Sequence, residues 1–371
     1  MRIARLRWTS YTVPFRTTYT TSQGVQPERQ GLLVELTADT GLVGLGEAAP
    51  TPEARVTGDA LSQRFASMAA SLVGLDIDAA FQIQPGLYYE DHSDASLACA
   101  VDTAVCDLLA QEREVPVARL LNGNVADRVE VNALVTAPDL LEAAKAATAA
   151  RKAGFRTIKL KVGVAEEMTE ECARVVAVRK AAGPDLKLRL DPNGAWDIAT
   201  AMTAMRALEP LNIEYLEQPL PPGNVEAMAY LQARLNVPIA ADEDVTDIGT
   251  AQRIIETGAA RVLILKPQRL GGLRASLEVI RAAERAGIAC VITTSIETGV
   301  GTAACLHLAA ALPPGSPACG LATASLLEND LASLSIPVSG GAMRLPHAPG
   351  LAVQLDSVTL ARYTQGWSEA S

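Results

Sequence analysis

The chain has 371 residues, 49% of them apolar and 4% aromatic, so it is long enough for two domains with aliphatic cores and needs no disulfide framework. Its net charge of −10, with acidic residues spread along the chain, disfavours nucleic acid and anionic membrane surfaces as partners. Six cysteines without a C-x-x-C pair disfavour a zinc site, and no apolar run reaches membrane-spanning length, so we predict a cytoplasmic protein.

The first fifty residues alternate between apolar and polar types, for example over residues 31–37, which predicts an antiparallel meander of strands. From about residue 60 to residue 121 the pattern becomes alanine-rich and helical. Strands followed by helices indicate an α+β domain, which we place at residues 1–124. Short strands and turns in residues 339–371 predict that the C-terminus returns to complete this domain.

Beyond residue 124, short strand-like runs alternate with longer helical ones, which is typical of repeated βα units. Such units close into a TIM-type (β/α) barrel with catalytic side chains at the carboxyl ends of the strands. We therefore predict an α/β barrel over residues 125–338. The eight candidate strands are residues 129–135, 157–162, 186–191, 213–217, 238–242, 262–266, 288–294 and 318–321.

An ionisable residue ends each of five successive candidate strands. The five are Lys161, Asp191, Glu217, Asp242 and Lys266, and their successive separations are 30, 26, 25 and 24 residues. Each separation is one βα unit, so the five side chains should reach the same rim of the barrel. One strand-end acid is more often a cap or turn residue, but five in register favour a chemical role.

Three of these residues, Asp191, Glu217 and Asp242, would repel one another at one point unless a hard cation lay between them, which predicts a Mg²⁺ site. Mn²⁺ accepts the same ligands. Lys161 and Lys266 should flank the cation from opposite sides. Two opposed bases suit the removal and return of a proton beside a carboxylate held by the metal.

Lys159 lies two residues before Lys161, so both lysines should point into the barrel. At about 7 Å and an effective dielectric constant of roughly 20, the two ammonium groups repel by ~2 kcal/mol. We therefore expect repulsion to lower the lysine pKa towards that of a useful base. Arg189, which also faces inward, is interpreted as a structural ion-pair partner. No histidine ends a candidate strand, so histidine catalysis is disfavoured.

These motifs resemble the enolase superfamily, and within it the muconate-lactonizing-enzyme group, across essentially the whole chain. The resemblance implies a capping domain made from both ends of the chain, with substrate-specificity loops near residues 15–24 and 48–52. It also implies an enediolate intermediate stabilised by Mg²⁺. We expect a small carboxylate substrate as partner and a homo-oligomer. The motifs are IKLKVG at 158–163, LDPNGAW at 190–196, YLEQPL at 215–220, IAADE at 239–243 and LKP at 265–267.

Within the group, Lys266 stands where mandelate racemases have a His–Asp base. Dipeptide epimerases usually carry Asp-x-Asp on the eighth strand, where this chain has Gly320, Leu321 and Ala322. The sequence most resembles the o-succinylbenzoate synthases of menaquinone biosynthesis, which are lyases. A cycloisomerase, or a racemase or epimerase of N-acyl amino acids or dipeptides, stays open as an isomerase alternative.

The resemblance to the synthases implies that Lys161 removes the proton α to the carboxylate and then protonates the departing hydroxyl. Lys266 would stabilise the enediolate electrostatically. Glu243 is interpreted either as a residue that orients Lys266 or as a purely structural one. Asn193 and Ser295 complete the set of supporting or substrate-binding candidates.

Overall fold

The computed structural model describes residues 1–21, 24–82, 91–333 and 336–371. The predicted meander is present as three antiparallel strands, numbered along the chain: β1 (Ile3–Thr21), β2 (Gly24–Ala38) and β3 (Val43–Ala48). A fourth strand, β13 (Ser368–Ala370), pairs with β1. The C-terminal strand therefore joins the N-terminal sheet.

Helices cover one face of this sheet. On β2, Leu32, Val34 and Leu36 are fully buried in the cluster formed with these helices, as the period of two along a strand requires. Gly46 allows close packing, because a Cβ atom there would lie 1.9 Å from the carbonyl oxygen of Ala100. The helices are α1 (Gly58–Leu72), α2 (Ile77–Gln82), α3 (His92–Glu112) and α4 (Val117–Leu121).

The second sheet contains seven parallel strands that neighbour one another in chain order, as repeated βα units predict. Its members are β5 (Ala133–Val135), β6 (Thr157–Lys161), β7 (Lys187–Asp191), β8 (Ile213–Glu217), β9 (Ile239–Ala241), β10 (Val262–Leu265) and β11 (Ala289–Ile292).

The eighth predicted strand forms only isolated parallel bridges, from Cys319 to Val131 and from Gly320 to Thr293. These bridges join the segment before β5 to the segment after β11, so they connect the two ends of the curled sheet. Pro317 lacks a backbone N–H at the start of this segment, which limits regular pairing there. The (β/α) barrel is thus present, with bridges in place of a full eighth strand.

Helices pack around the outside of this sheet. In α11, Leu273, Leu277 and Ile280 are buried at the spacing expected for an amphipathic helix. The helices are α5 (Leu140–Lys152), α6 (Met168–Ala182), α7 (Ile198–Leu208), α8 (Val225–Gln232), α9 (Ile248–Thr257), α10 (Pro267–Leu270), α11 (Leu273–Arg285) and α12 (Gly299–Ala310). Short 3₁₀ turns occupy Pro52–Ala54, Glu209–Leu211 and Ala324–Leu326.

The remaining elements lie at the edges of the barrel. The first predicted barrel strand is divided, because β4 (Arg128–Glu130) pairs antiparallel with β12 (Ala342–Arg344) before β5 begins. Helix α13 (Ser357–Tyr363) precedes β13. Among the described residues, no helix is both long and apolar enough to cross a membrane.

Arg189 has the predicted structural role inside the barrel. Its Nε lies 2.6 Å from Glu214 Oε2, its Nη1 donates to the carbonyl of Ala318 at 2.7 Å, and its guanidinium stacks on Tyr215. The cation is fully buried, so these partners offset the loss of its hydration.

Candidate active site

The five predicted strand-end residues lie at the carboxyl ends of consecutive barrel strands. Lys161, Asp191 and Glu217 end β6, β7 and β8, while Asp242 and Lys266 directly follow β9 and β10. The three carboxylate side chains are at most 1% exposed and the two lysines 15–16% exposed. The parallel register therefore brings these groups to one rim, as their spacing predicted.

Lys159 joins two of the carboxylates. Its Nζ atom lies 2.8 Å from Asp191 Oδ2 and 2.5 Å from Glu217 Oε1. The side chain points inward because it lies two residues before Lys161 on β6, with the intervening Leu160 buried in the aliphatic cluster. One ammonium group thus bridges the ends of β7 and β8.

Lys161 has its own pair of partners on the β7 side. Its Nζ atom lies 2.7 Å from Asp191 Oδ2 and also contacts Asn193 Oδ1. Asn193 takes a left-handed backbone conformation with φ of 47°, which asparagine tolerates better than most residues. This turn brings the Asn193 side chain back over the strand end.

Lys266 lies beside the third carboxylate. Its Nζ atom lies 2.7 Å from Asp242 Oδ2, while Arg269 Nη1 donates to Asp242 Oδ1 at 3.1 Å and to its carbonyl oxygen at 2.5 Å. Arg269 was not among the residues predicted from the sequence. Its position three residues after Lys266, in the short helix α10, was the available signal, because one helical turn returns a side chain to the same face.

The site electrostatics differ from the expectation for the lysines. Burial lowers the pKa of Lys159, but the charges of Asp191 and Glu217 outweigh burial and raise it well above its usual value. Burial also lowers the pKa of Lys161, but the charge of Asp191 outweighs burial and raises this pKa above its usual value. The expected lowering by mutual repulsion is therefore wrong for this arrangement, because each ammonium group lies closer to a carboxylate than the ~7 Å assumed between the lysines.

The pKa of each of the three carboxylates shifts in a direction that depends on its charged neighbours. Burial would raise the pKa of Asp191, but Lys159 and Lys161 hold it below its usual range. Lys266 and Arg269 do the same for Asp242. Burial and the charge of Asp191 raise the pKa of Glu217 to about 8.

Within the described part of the chain, no three histidine, cysteine, aspartate or glutamate side chains are grouped closely enough to hold a metal ion as they stand. Lysine ammonium groups instead bond all three predicted ligands. The donor chemistry nevertheless fits a hard divalent cation, because three buried carboxylates lie on adjacent strands and Glu217 Oε2 has no hydrogen-bond partner among the described residues. A divalent cation at this site would supply part of the positive charge that the ammonium groups now give to the carboxylates.

Glu243 is linked to Lys161 rather than to Lys266. Its Oε1 accepts a 3.0 Å hydrogen bond from Asn193 Nδ2, and the other amide atom of Asn193 contacts Lys161. The predicted orientation of Lys266 by Glu243 thus has no hydrogen bond to support it. Asp242 and Arg269 supply the contacts near Lys266 instead.

A cavity of about 460 Å³ opens above these groups. Ser295 lines it, and the hydroxyls of Ser295 and Thr293 are buried without a hydrogen-bond partner among the described residues. Both predicted specificity loops contribute, through Tyr19 and through Thr51 with Pro52. Residues 22 and 23 of the first loop lie outside the described residues.

Comparison with known families matches both parts of the chain. The model described as "Mandelate racemase / muconate lactonizing enzyme, N-terminal domain" matches residues 2–122, and the model "Enolase C-terminal domain-like" matches residues 142–359. The chain therefore belongs to the mandelate racemase and muconate lactonizing enzyme family of the enolase superfamily, and it is an enzyme of that superfamily.

Proteins similar to this chain include a synthase, a cycloisomerase and an epimerase. An o-succinylbenzoate synthase from Thermobifida fusca is 43% identical over 208 residues, which cover 56% of this chain and 63% of that protein. Muconate cycloisomerase 1 from Rhodococcus opacus is 33% identical and covers 93% of both chains. The crystal structure of a dipeptide epimerase from Enterococcus faecalis with Mg and the dipeptide L-Leu-L-Tyr has a TM-score of 0.87 and 28% identity, covering 95% of this chain and 99% of that one.

Proposed function

We propose that this protein catalyses magnesium-dependent removal of the proton α to a carboxylate, in a dehydration that forms o-succinylbenzoate for menaquinone biosynthesis. The observation that carries the proposal is the placement of Lys161 at the end of β6 and of Lys266 directly after β10, on either side of three buried carboxylates. Lys161 can thus remove and return a proton on one face of a substrate, while Lys266 supplies positive charge on the other face.

Asp191, Glu217 and Asp242 would hold the Mg²⁺ ion, and Mn²⁺ suits the same oxygen donors. When bound, the ion would act as a Lewis acid on the substrate carboxylate. Its charge would also offset the negative charge of Asp191, which raises the pKa of Lys161.

Lys161 is the proposed general base, and it returns the proton to the departing hydroxyl. Its contacts with Asp191 and Asn193 hold Nζ at the rim, below the cavity. Lys159 bridges Asp191 and Glu217 and is proposed to tune the charge around Lys161. Lys266, held by Asp242, is proposed to stabilise negative charge that develops on the substrate.

Two observations support dehydration. The Thermobifida fusca relative with 43% identity is an o-succinylbenzoate synthase. In addition, Gly320 occupies the position where dipeptide epimerases usually carry an aspartate, and a Cβ atom there would lie 2.7 Å from Thr293 Cγ2. The ammonium of a dipeptide would therefore lack its expected partner at this position.

A cycloisomerase or an N-acyl amino acid racemase or dipeptide epimerase is the second candidate. The length of the alignments supports this candidate. The Rhodococcus opacus cycloisomerase aligns with nearly the whole chain, whereas the Thermobifida fusca synthase aligns with little more than half of it. We further propose residues 1–124 with 339–371 as the capping domain and 125–338 as the barrel. A small carboxylate partner, homo-oligomerisation and a cytoplasmic location stay predictions.

The test is turnover of 2-succinyl-6-hydroxy-2,4-cyclohexadiene-1-carboxylate by the Mg²⁺-loaded protein, followed by the absorbance of the aromatic product. Lys161→Ala should abolish turnover, whereas Lys145→Ala, at a 72% exposed side chain, should not. No turnover by folded, metal-loaded protein would refute the dehydration. Deuterium incorporation at the α-carbon of N-acyl amino acids or dipeptides in D₂O would then support the second candidate.

A further inference from the structure

A buried polar cluster links β3 of the N-terminal sheet to the loop between β11 and α12. At its centre is Glu47, which is 1% exposed. Its Oε1 accepts hydrogen bonds from the Tyr11 hydroxyl at 2.5 Å and the Thr298 backbone N–H at 2.9 Å. Its Oε2 accepts from the Thr298 hydroxyl and the Gly301 N–H, both at 2.8 Å. One carboxylate therefore satisfies four donors.

Glu47 also caps a barrel helix from outside the barrel. Helix α12 begins at Gly299, and its preceding residue, Thr298, makes no side-chain cap of its own. The first N–H groups of a helix lack partners within the helix and carry partial positive charge, so a carboxylate is a favourable acceptor there. The start of α12 is thus capped partly from the N-terminal sheet by Glu47, beside Asp330, which accepts from the Gly299 N–H at 2.7 Å.

Arg29 on β2 holds the preceding part of the same loop. Its Nε donates to the carbonyl oxygen of Ile296 at 2.9 Å, and the residue is 4% exposed. Ile296 has a φ of 63°, a conformation that is costly for a β-branched residue and persists only where surrounding contacts impose it. The contact with Arg29 is one such constraint.

The tethered loop forms a wall of the cavity, through Thr293, Thr294, Ser295 and Ile296. The end of β3 also reaches helix α10, which follows β10. Gln268 accepts from the Ala49 N–H at 2.8 Å and donates to the Glu47 carbonyl at 2.8 Å. Gln268 lies two residues after Lys266, so the same end of β3 contacts both the loop before α12 and helix α10.

We propose that Glu47 and Arg29 are positioning residues that hold residues 295–298 in the conformation that presents Ser295 and Ile296 to the substrate. The N-terminal sheet then sets the shape of a wall that belongs to the barrel. The link to substrate binding rests on the proposed function. The hold on the loop does not, because it follows from the contacts alone.

The experiment is hydrogen–deuterium exchange of the full chain with Mg²⁺, read in a peptide covering residues 294–303. Glu47→Gln keeps the size of the side chain but gives up its charge and half of its acceptors, so exchange there should become about tenfold faster. Glu35→Gln is the matched control, because Glu35 is a sheet carboxylate that pairs with Arg7. Unchanged exchange in folded Glu47→Gln would overturn the proposal.

Arg29→Lys is the second variant and serves if Glu47→Gln does not fold. It retains the charge but removes the planar donor to Ile296, so exchange should rise about tenfold across residues 294–299. Unchanged exchange in this variant would also overturn the proposal.

In kinetics, Glu47→Gln should raise KM about tenfold with kcat changed less than about threefold, and Glu47→Asp should restore part of the affinity. If Glu47→Gln lowered only the fraction of protein molecules that are active and left KM unchanged, the role of Glu47 would be merely structural and the proposed positioning role would be overturned. If the parent protein turns over no carboxylate substrate, the proposed function fails, while the exchange result still decides whether Glu47 and Arg29 hold the loop.

Discussion

The ammonium group of Lys159 lies 2.5 Å from Glu217 Oε1, at a carboxylate that is fully buried in the barrel mouth. The same ammonium group lies 2.8 Å from Asp191 Oδ2. In this arrangement a protein cation stabilises the cluster that is proposed to bind Mg²⁺, so Lys159 and the metal should partly substitute for one another.

Lys159→Met should therefore destabilise the metal-free protein by about 3–5 kcal/mol, because it leaves buried Glu217 without its ion-pair partner and Asp191 with Lys161 alone. Mg²⁺ should recover much of this loss and stabilise the variant more than the parent. Urea unfolding in EDTA and in Mg²⁺ measures both effects. The control is Lys187→Met, which removes a 58% exposed side chain paired with Glu214 and should cost at most ~1 kcal/mol. Equal losses in the two variants would contradict the substitution of lysine for metal.

Lys266→Met should lower kcat about 10²–10³-fold, because it removes a cation placed to stabilise negative charge on the substrate. KM should change much less, since the stabilisation is needed mainly in the transition state. Steady-state kinetics with the proposed cyclohexadiene substrate and Mg²⁺ provide the measurement, and Lys152→Met, on the exposed side of α5, is the control. A variant that keeps the parent kcat would remove Lys266 from the mechanism.

The acid side of the stability profile should depend on His307. Its Nδ1 accepts from the Ala118 N–H at 3.1 Å, and burial lowers its pKa to about 4. Because this value lies below the ~6.5 of an unfolded chain, the unfolded state binds the proton first and stability falls as pH drops from 6.5 to 4, by roughly 3 kcal/mol. Urea unfolding across this range should show a shallower fall in His307→Gln. An identical slope in the two proteins would assign the loss to other groups.

The alkaline side should depend on Glu297. Burial and the charge of Glu47 raise its pKa to about 8, against the lowering effect of Arg29. The folded value lies above the unfolded 4.5, so the folded state retains the proton longer and stability falls as pH rises from 4.5 to 8, by a few kcal/mol. Glu297→Gln should flatten this fall and exceed the parent in stability at pH 9. Chemical unfolding at pH 5 and pH 9 measures the difference, and a variant weaker than the parent at pH 9 would contradict the assignment.

Several parts of the site follow from local patterns in the sequence. The strand-end residues Lys161, Asp191, Glu217, Asp242 and Lys266 could be placed at one rim because parallel βα units repeat at a nearly constant length and expose the same strand ends. The inward direction of Lys159 follows from the period of two along a strand. The return of the C-terminus to the first sheet was also readable from its short strands.

Only the tertiary structure decided which groups meet. Glu47 and Thr298 are 251 residues apart, and no local period relates them. The sign of the lysine pKa shift depended on side-chain directions that place each ammonium group against a carboxylate. Arg269 contacts Asp242 because α10 folds over that residue, and the eighth strand forms only bridges to Val131 and Thr293. Repeats and strand periods are local properties of a chain, whereas contacts, burial and charge pairing depend on how distant segments pack together.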